Sequence, residues 1–168
     1  MHTYLMRHGI AVAADDPSIK QDGDRPLTAK GTKRMRRAAQ GLRRLKIPFD
    51  GILTSPLLRA RQTAELVASA LGKEARVEEI AGLAPESSVE QLLRGLTRYQ
   101  DRRHLLLVGH EPLLSHTAVY LLGGQQPVKF TIELKKGSLC CIEIEDLPTA
   151  KAASLHWLLT PKHLRLLG

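Results

Sequence analysis

The sequence predicts an α/β domain, a three-layer α/β/α sandwich around a mostly parallel sheet. Three observations carry that prediction. Short apolar runs alternate along the chain with longer segments of helical periodicity, the pattern of strands joined by crossover helices. Three of those runs, at 3–6, 51–54 and 104–109, are apolar enough to be buried on both faces of a sheet. The helical segments also carry start and stop residues where their periodicity begins and ends.

In chain order, "TYLM" (3–6) is the first strand, followed by the longest polar loop, "AADDPSIKQDGDRPL" (13–27). Thr28 in "RPLTAKG" then caps a helix in which Met35, Ala38, Ala39, Leu42 and Leu45 hold helical spacing. "GILT" (51–54) is the second strand. In "SPLLRARQTAELVASALG", Ser55 is expected to cap the next helix, with Pro56 in its first turn and Gly72 at its end. "ARVEE" (75–79) reads as a strand, Ser88 to Tyr99 as a helix and "HLLLVG" (104–109) as a buried strand. Pro112 to Leu122 forms a helix stopped by Gly123 and Gly124. "SLCCIEIE" (138–145) and "ASLHWLL" (153–159) are two later strands, expected to pair as a hairpin around "DLPTAKA". No repeat, low-complexity stretch or long internal linker divides the chain, so residues 1–168 are expected to form one domain.

Composition narrows the function classes. At 168 residues, 43% hydrophobic and 25% charged, the chain has the makeup of a globular domain with a substantial core. Its longest apolar runs are too short to span a bilayer, and its start lacks the basic and apolar regions of an export signal. Cys140 and Cys141 are neighbours; on a strand they face opposite sides and are poorly placed to bridge each other. Two buried free thiols suit a reducing compartment, so a cytoplasmic location is expected. The net charge of +8 favours anionic partners without naming them.

The chemistry gathers at three strand ends. "RHG" follows strand 3–6, "SPLLRARQT" follows strand 51–54 and "GHEP" ends strand 104–109. Ligands of open α/β sheets bind outside the carboxyl ends of the strands. Arg7, His8, Arg59 and His110 are therefore expected to converge on one pocket. Two arginines and two histidines describe a phosphoryl site, since a guanidinium offers planar paired donors and a charge that does not titrate away.

Together "MRHG", "RPLTAKG", "SPLLRARQTAE" and "GHEP" resemble the histidine phosphatase superfamily, which has the phosphoglycerate mutase-like fold. The short length is most similar to its SixA-type phosphohistidine phosphatases. The resemblance covers nearly the whole chain and implies roles for the matching positions. His8 is the nucleophile that carries the phosphoryl group, and Arg7, Arg59 and His110 clamp its oxygens. Gly9 allows a tight backbone turn beside the phosphate, and Arg25 of "DRPLT" is a further contact. No cofactor and no catalytic metal are implied. Many members of the family also use an acidic residue after the third strand to protonate the leaving group; here Glu86, in "EEIAGLAPESSVE", is the one candidate. SixA-type members manage without it. An imidazole leaves a phosphoramidate already protonated, whereas an alkoxide needs a proton supplied. The expected substrate is therefore phosphohistidine, on a phosphoprotein. A general phosphomonoesterase of the same superfamily, using Glu86 on a protein or a small substrate, is the alternative enzyme.

Other readings weigh less. His110 and His116 are six residues apart, about 240° around a helix, and cannot share a metal on one face. His2, His104, His156 and His163 are read as scattered single residues, structural or exposed. The basic stretch "KRMRRAAQGLRRLK" (33–46) is an amphipathic helix with a solvated basic face. That face could steer an acidic phosphoprotein. Aromatics for base stacking are only 4% of the chain, which disfavours nucleic acid. A binding module without catalysis, for a phospho-ligand or nucleic acid, would leave the nucleophile without a purpose. Arg61 is expected to form a surface ion pair.

Overall fold

The structure is a computed structural model that describes residues 1–72, 77–123, 130–145, 147 and 153–168. Its strands are β1 (His2–Arg7), β2 (Gly51–Thr54), β3 (Val77–Glu79), β4 (His104–Gly109), β5 (Leu139–Ile144) and β6 (Ala153–Leu159). They form one sheet in the order β3-β2-β4-β1-β5-β6. The pairs β1–β4, β2–β4 and β2–β3 are parallel, and β5 runs antiparallel to both β1 and β6. The expected hairpin of the last two strands is present, with most of its connection outside the described residues. So are positions 75–76 of the predicted third strand.

Alternation along the strands sorts the core into two halves. Leu5, Leu53, Leu105, Leu107, Cys140 and Ile142 pack under α3 (Val89–Leu96) and α4 (Leu113–Gly123). Tyr4, Met6, Ile52, Leu106, Val108 and Cys141 pack under α1 (Ala29–Arg44), α2 (Leu58–Leu71) and α5 (Pro161–Leu167). Helices thus cover both faces of the sheet, as the sequence predicts. Cys140 and Cys141 are free, buried and on opposite faces.

Local chemistry explains the helix ends. The Thr28 hydroxyl accepts from the Gly31 amide at 2.9 Å, the expected cap of α1. Ser88 and Gln91 form a reciprocal capping box at α3. The predicted helix from Ser88 to Tyr99 is α-helical to Leu96 and continues as a 3-10 turn over Thr97–Tyr99. Gly72 ends α2 in the left-handed region, with φ of 60°, where a residue without Cβ is favoured. The α4 helix begins at Leu113, after a cis Glu111–Pro112 peptide, and includes Gly123. α5 was not foreseen, although Thr160, Pro161 and His163 carry a cap, a first-turn proline and a capping box. Its seven residues are too few to show periodicity in sequence.

Arg34, Arg36, Arg37, Arg43 and Arg44 of α1 are exposed while Met35, Ala38, Ala39 and Leu42 are buried, so the basic stretch is a solvated helix face. Arg61 pairs with Glu79 at 3.3 Å on the surface, as expected.

The α1–α5 contact depends on Gly41, where a Cβ would collide with the Leu164 carbonyl. Gly95 in α3 has open space around the same atom. Gly41→Ala is therefore expected to lower unfolding stability by about 1–3 kcal/mol. Gly95→Ala should raise it by about 0.5–1 kcal/mol. Urea denaturation of the two variants checks this, and equal effects would contradict the packing described.

Candidate active site

Strand register assembles the site. Arg7 on β1 is opposite Gly109 on β4, and Thr54 on β2 is opposite Val108. The next residues continue the pairing: the His8 amide donates to the Gly109 carbonyl at 3.0 Å, and the Ser55 amide to the Val108 carbonyl at 2.9 Å. "RHG", "SP" and "GHEP" thus end side by side, as expected of neighbouring parallel strands.

His8 is only 6% exposed and His110 2%, and their ring centroids lie 4.9 Å apart. His8 Nδ1 is 2.7 Å from the Gly9 carbonyl oxygen. A carbonyl can only accept, so Nδ1 carries the hydrogen and Nε2 keeps its lone pair in the neutral ring. Burial pushes the His8 pKa down to about 3, helped by His110, Arg59 and Arg7 and opposed by the Gly9 bond. His110 is pushed down to about 4, first by burial and then by Arg59. Both rings are neutral near pH 7.

Ser55 has a different task from the one predicted. The cap position of α2 falls on Leu57, without a side-chain cap, and Pro56 precedes the helix. The Ser55 hydroxyl accepts from the Leu57 amide at 3.3 Å and lies 2.9 Å from His110 Nε2. A hydroxyl donating to Nε2 leaves the hydrogen of the neutral ring on Nδ1. That Nδ1 is buried and has no partner among the described residues.

Arg59, on the first turn of α2, is 4% exposed. Its Nη1 donates to the Asp22 carbonyl at 2.8 Å and its Nη2 to Asp22 Oδ2 at 2.9 Å. Arg25 holds the other carboxylate oxygen, Oδ1, at 2.7 Å and donates to the Val12 carbonyl at 3.0 Å. Partial burial works to raise the Asp22 pKa, but the bonds and charges of Arg59 and Arg25 outweigh it and hold the carboxyl low. Asp22 was missed in the sequence: it sits in the polar loop 13–27, and nothing in its neighbours distinguishes it there from Asp24. Arg7 donates through Nη1 to the Leu134 carbonyl at 2.9 Å. The Nε atoms of Arg7, Arg25 and Arg59 are buried without a partner among the described residues.

Gly9 is needed for space rather than for a turn. Its φ is not positive, but a Cβ would come within 2.5 Å of Met35 Cγ and 3.2 Å of Leu27 Cδ2. Its amide donates to Thr63 Oγ1 at 3.1 Å, and that hydroxyl donates to the Arg59 carbonyl at 2.7 Å. Thr63, also unforeseen, therefore ties α2 to the "RHG" backbone. Glu86 is exposed in the turn before α3 and makes no ion pair or side-chain hydrogen bond to the cluster among the described residues.

Neutral imidazole beside buried guanidinium groups with free N–H atoms can present a lone pair to an electrophile and donors to its anionic oxygens. The chain belongs to the histidine phosphatase superfamily: its profile (branch 1) matches residues 3–84, and the relatives cover the rest. The chain is 30% identical over 169 residues to the phosphohistidine phosphatase SixA of Escherichia coli (strain K12). That match covers 99% of this chain and 98% of that one. It also fits the solved structure of the protein histidine phosphatase SixA complexed with tungstate, with a TM-score of 0.80 and 28% identity over 98% and 99% of the two chains. An uncharacterized protein of Picosynechococcus sp. is 48% identical over 128 residues, 74% of this chain and 75% of that one. The fold is the phosphoglycerate mutase-like one expected, and the protein is a hydrolase of the phosphatase class.

The lowered pKa values set a pH response. Unfolded imidazoles take up protons near 6.5, whereas His8 and His110 in the fold wait until about 3 and about 4. Their contribution to stability is complete above 6.5 and is lost as the pH falls toward those values. Nitrogen-15 NMR of the imidazoles should find both rings neutral down to about pH 5, with His8 protonated at Nδ1. Protonation of either ring near 6.5 would contradict the burial described.

Proposed function

We propose that the protein hydrolyses phosphohistidine, on a phosphoprotein, through a covalent intermediate on His8. The observation that carries this reading is the His8 ring, neutral and bonded at Nδ1 to the Gly9 carbonyl, among the free donors of Arg7, Arg59 and His110. The SixA relative is named for that activity, and the related solved structure is a complex with tungstate, a tetrahedral oxyanion.

In the first step His8 Nε2 attacks phosphorus. The new N–P bond forms as the P–N bond to the substrate imidazole breaks, and that imidazole departs with the proton it already bears. The Gly9 carbonyl, fixed on Nδ1–H, stabilises the positive charge that grows on the His8 ring. Arg7 and Arg59 take the equatorial oxygens, with His110 Nδ1–H as a third donor. Arg25 reaches the site through Asp22, which it shares with Arg59. In the second step the oxygen of a water bonds to phosphorus, the P–Nε2 bond breaks and the released proton passes to solvent. Inorganic phosphate leaves and His8 is neutral again.

The leaving group supports the choice of substrate. His110, with a pKa of about 4, is not a proton donor near pH 7, and Glu86 is exposed in its turn. With neither His110 nor Glu86 placed to give a proton, a leaving group that needs none is favoured. Guanidinium groups supply the positive charge that balances the phosphoryl oxygens, so the proposed chemistry is metal-independent. No helix among the described residues is long and apolar enough to cross a membrane, and we propose a cytoplasmic phosphoprotein as the partner.

Release of phosphate from a phosphohistidine protein tests the reading. His8→Ala should abolish release, Arg59→Ala should slow it by about 10²–10³-fold, and EDTA should leave the rate unchanged. p-Nitrophenyl phosphate should be cleaved much faster than an alkyl phosphate, with Glu86→Gln altering neither rate. Full release by His8→Ala, or a selective loss on the alkyl ester in Glu86→Gln, would contradict it.

A further inference from the structure

The sequence reading of His2, His104 and His156 as scattered residues is corrected by the sheet. Four adjacent strands bring them into one row with Glu143. His104 on β4 is opposite His2 on β1, and His2 is opposite Glu143 on β5. On β6 the pairing shifts between Cys141–Trp157 and Ile142–Leu155, which makes His156 the extra residue of a β-bulge. Bulges re-aim a side chain, and here His156 Nε2 comes within 2.8 Å of Glu143 Oε2. His2 lies between the other two imidazoles. It stacks on His104 at 5.0 Å with an interplanar angle of 12° and meets the edge of His156 at 5.1 Å. The Tyr4 hydroxyl is 2.9 Å from His104 Nδ1, which fixes the ring that His2 stacks on.

We infer a site for zinc(II), or a divalent transition metal of similar preference, formed by His2, Glu143 and His156. One donor atom from each residue lies within 4.8 Å of the others. Two imidazoles and one carboxylate are a recognised zinc donor set, with bonds of about 2.0–2.2 Å and a fourth position for water. Tetrahedral bonds of that length put donors roughly 3.4 Å apart, so the three side chains need to close by little more than an ångström. On binding, the metal takes the place of the hydrogen between His156 Nε2 and Glu143; that proton passes to solvent, and His156 binds as the neutral ring with its hydrogen on Nδ1. His104 then acts on His2 from outside the donor set, as an orienting ring. The Met1 amine, a fixed positive charge near the cluster, is directed at the Ile144 carbonyl at 2.7 Å.

The site lies at the opposite end of the sheet from His8. Six residues of extended strand separate His2 from His8, about 20 Å, so the metal takes no part in phosphoryl transfer. It ties β1, β5 and the edge strand β6 together, where β6 is exposed over Ser154, Leu155 and His156.

The full chain, without an added histidine tag and freed of metal by chelation, should bind one zinc ion in calorimetric titration with ZnCl2 and melt at a higher temperature when loaded. Cobalt(II) in its place should show the intense visible bands of tetrahedral coordination. Glu143→Gln and His156→Gln should each weaken zinc binding at least about tenfold while keeping the metal-free melting temperature and the phosphatase rate. His8→Ala should bind zinc as the parent does, which separates this site from the His8–His110 pair whatever the outcome for catalysis. No stoichiometric binding, or binding lost in His8→Ala and retained in the other two variants, would overturn the inference.

Discussion

The site depends on the register of three parallel strands. Arg7 opposite Gly109 and Thr54 opposite Val108 place the ends of β1, β4 and β2 level, and the His8 amide continues the ladder onto Gly109. Side chains on a strand alternate with period two. A slip of one residue would exchange the two core faces and carry His8 away from His110. The buried alternation of Tyr4, Leu5 and Met6 between the two core halves resists such a slip. Core packing and site geometry therefore rest on the same constraint.

Electrostatics then gives the cluster its character. Arg25 and Arg59 share one carboxylate, Asp22, while Arg7 donates to the Leu134 carbonyl, and the two imidazoles beside them are uncharged. Burying guanidinium groups with free N–H atoms costs stability unless an acceptor arrives. A phosphoryl group offers three acceptor oxygens and the matching charge. The burial that disfavours protonation of His8 also keeps its Nε2 lone pair available, so a single cause serves both nucleophile and clamp.

Much of this was legible in the sequence, for reasons that can be traced. The buried strands β1, β2 and β4 are apolar runs closed by glycine, proline or histidine, and their ends mark where His8, Arg59 and His110 meet. Thr28, Ser88 and Gly72 act at helix ends as their side chains dictate. Other features depend on tertiary contacts that no local pattern encodes. Ser55 looks like a helix cap and instead faces His110, because the chain turns twice more before α2 begins. Asp22 and Thr63 gain their roles from partners 37 and 54 residues away. Gly9 is required by Met35 on a neighbouring helix, not by its own dihedral angle. The histidine row at the far end of the sheet was hidden because the bulge at His156 breaks the alternation on which a strand reading relies.

The central claim is that His8 carries the phosphoryl group during turnover. Rapid quenching of the enzyme with a phosphorus-32-labelled phosphohistidine protein, followed by peptide mapping, tests it most directly. The account predicts up to one label per chain, on the peptide containing His8, labile to acid, stable to alkali and lost on the timescale of phosphate release. An acid-stable label, or a label on a peptide without His8, would contradict it.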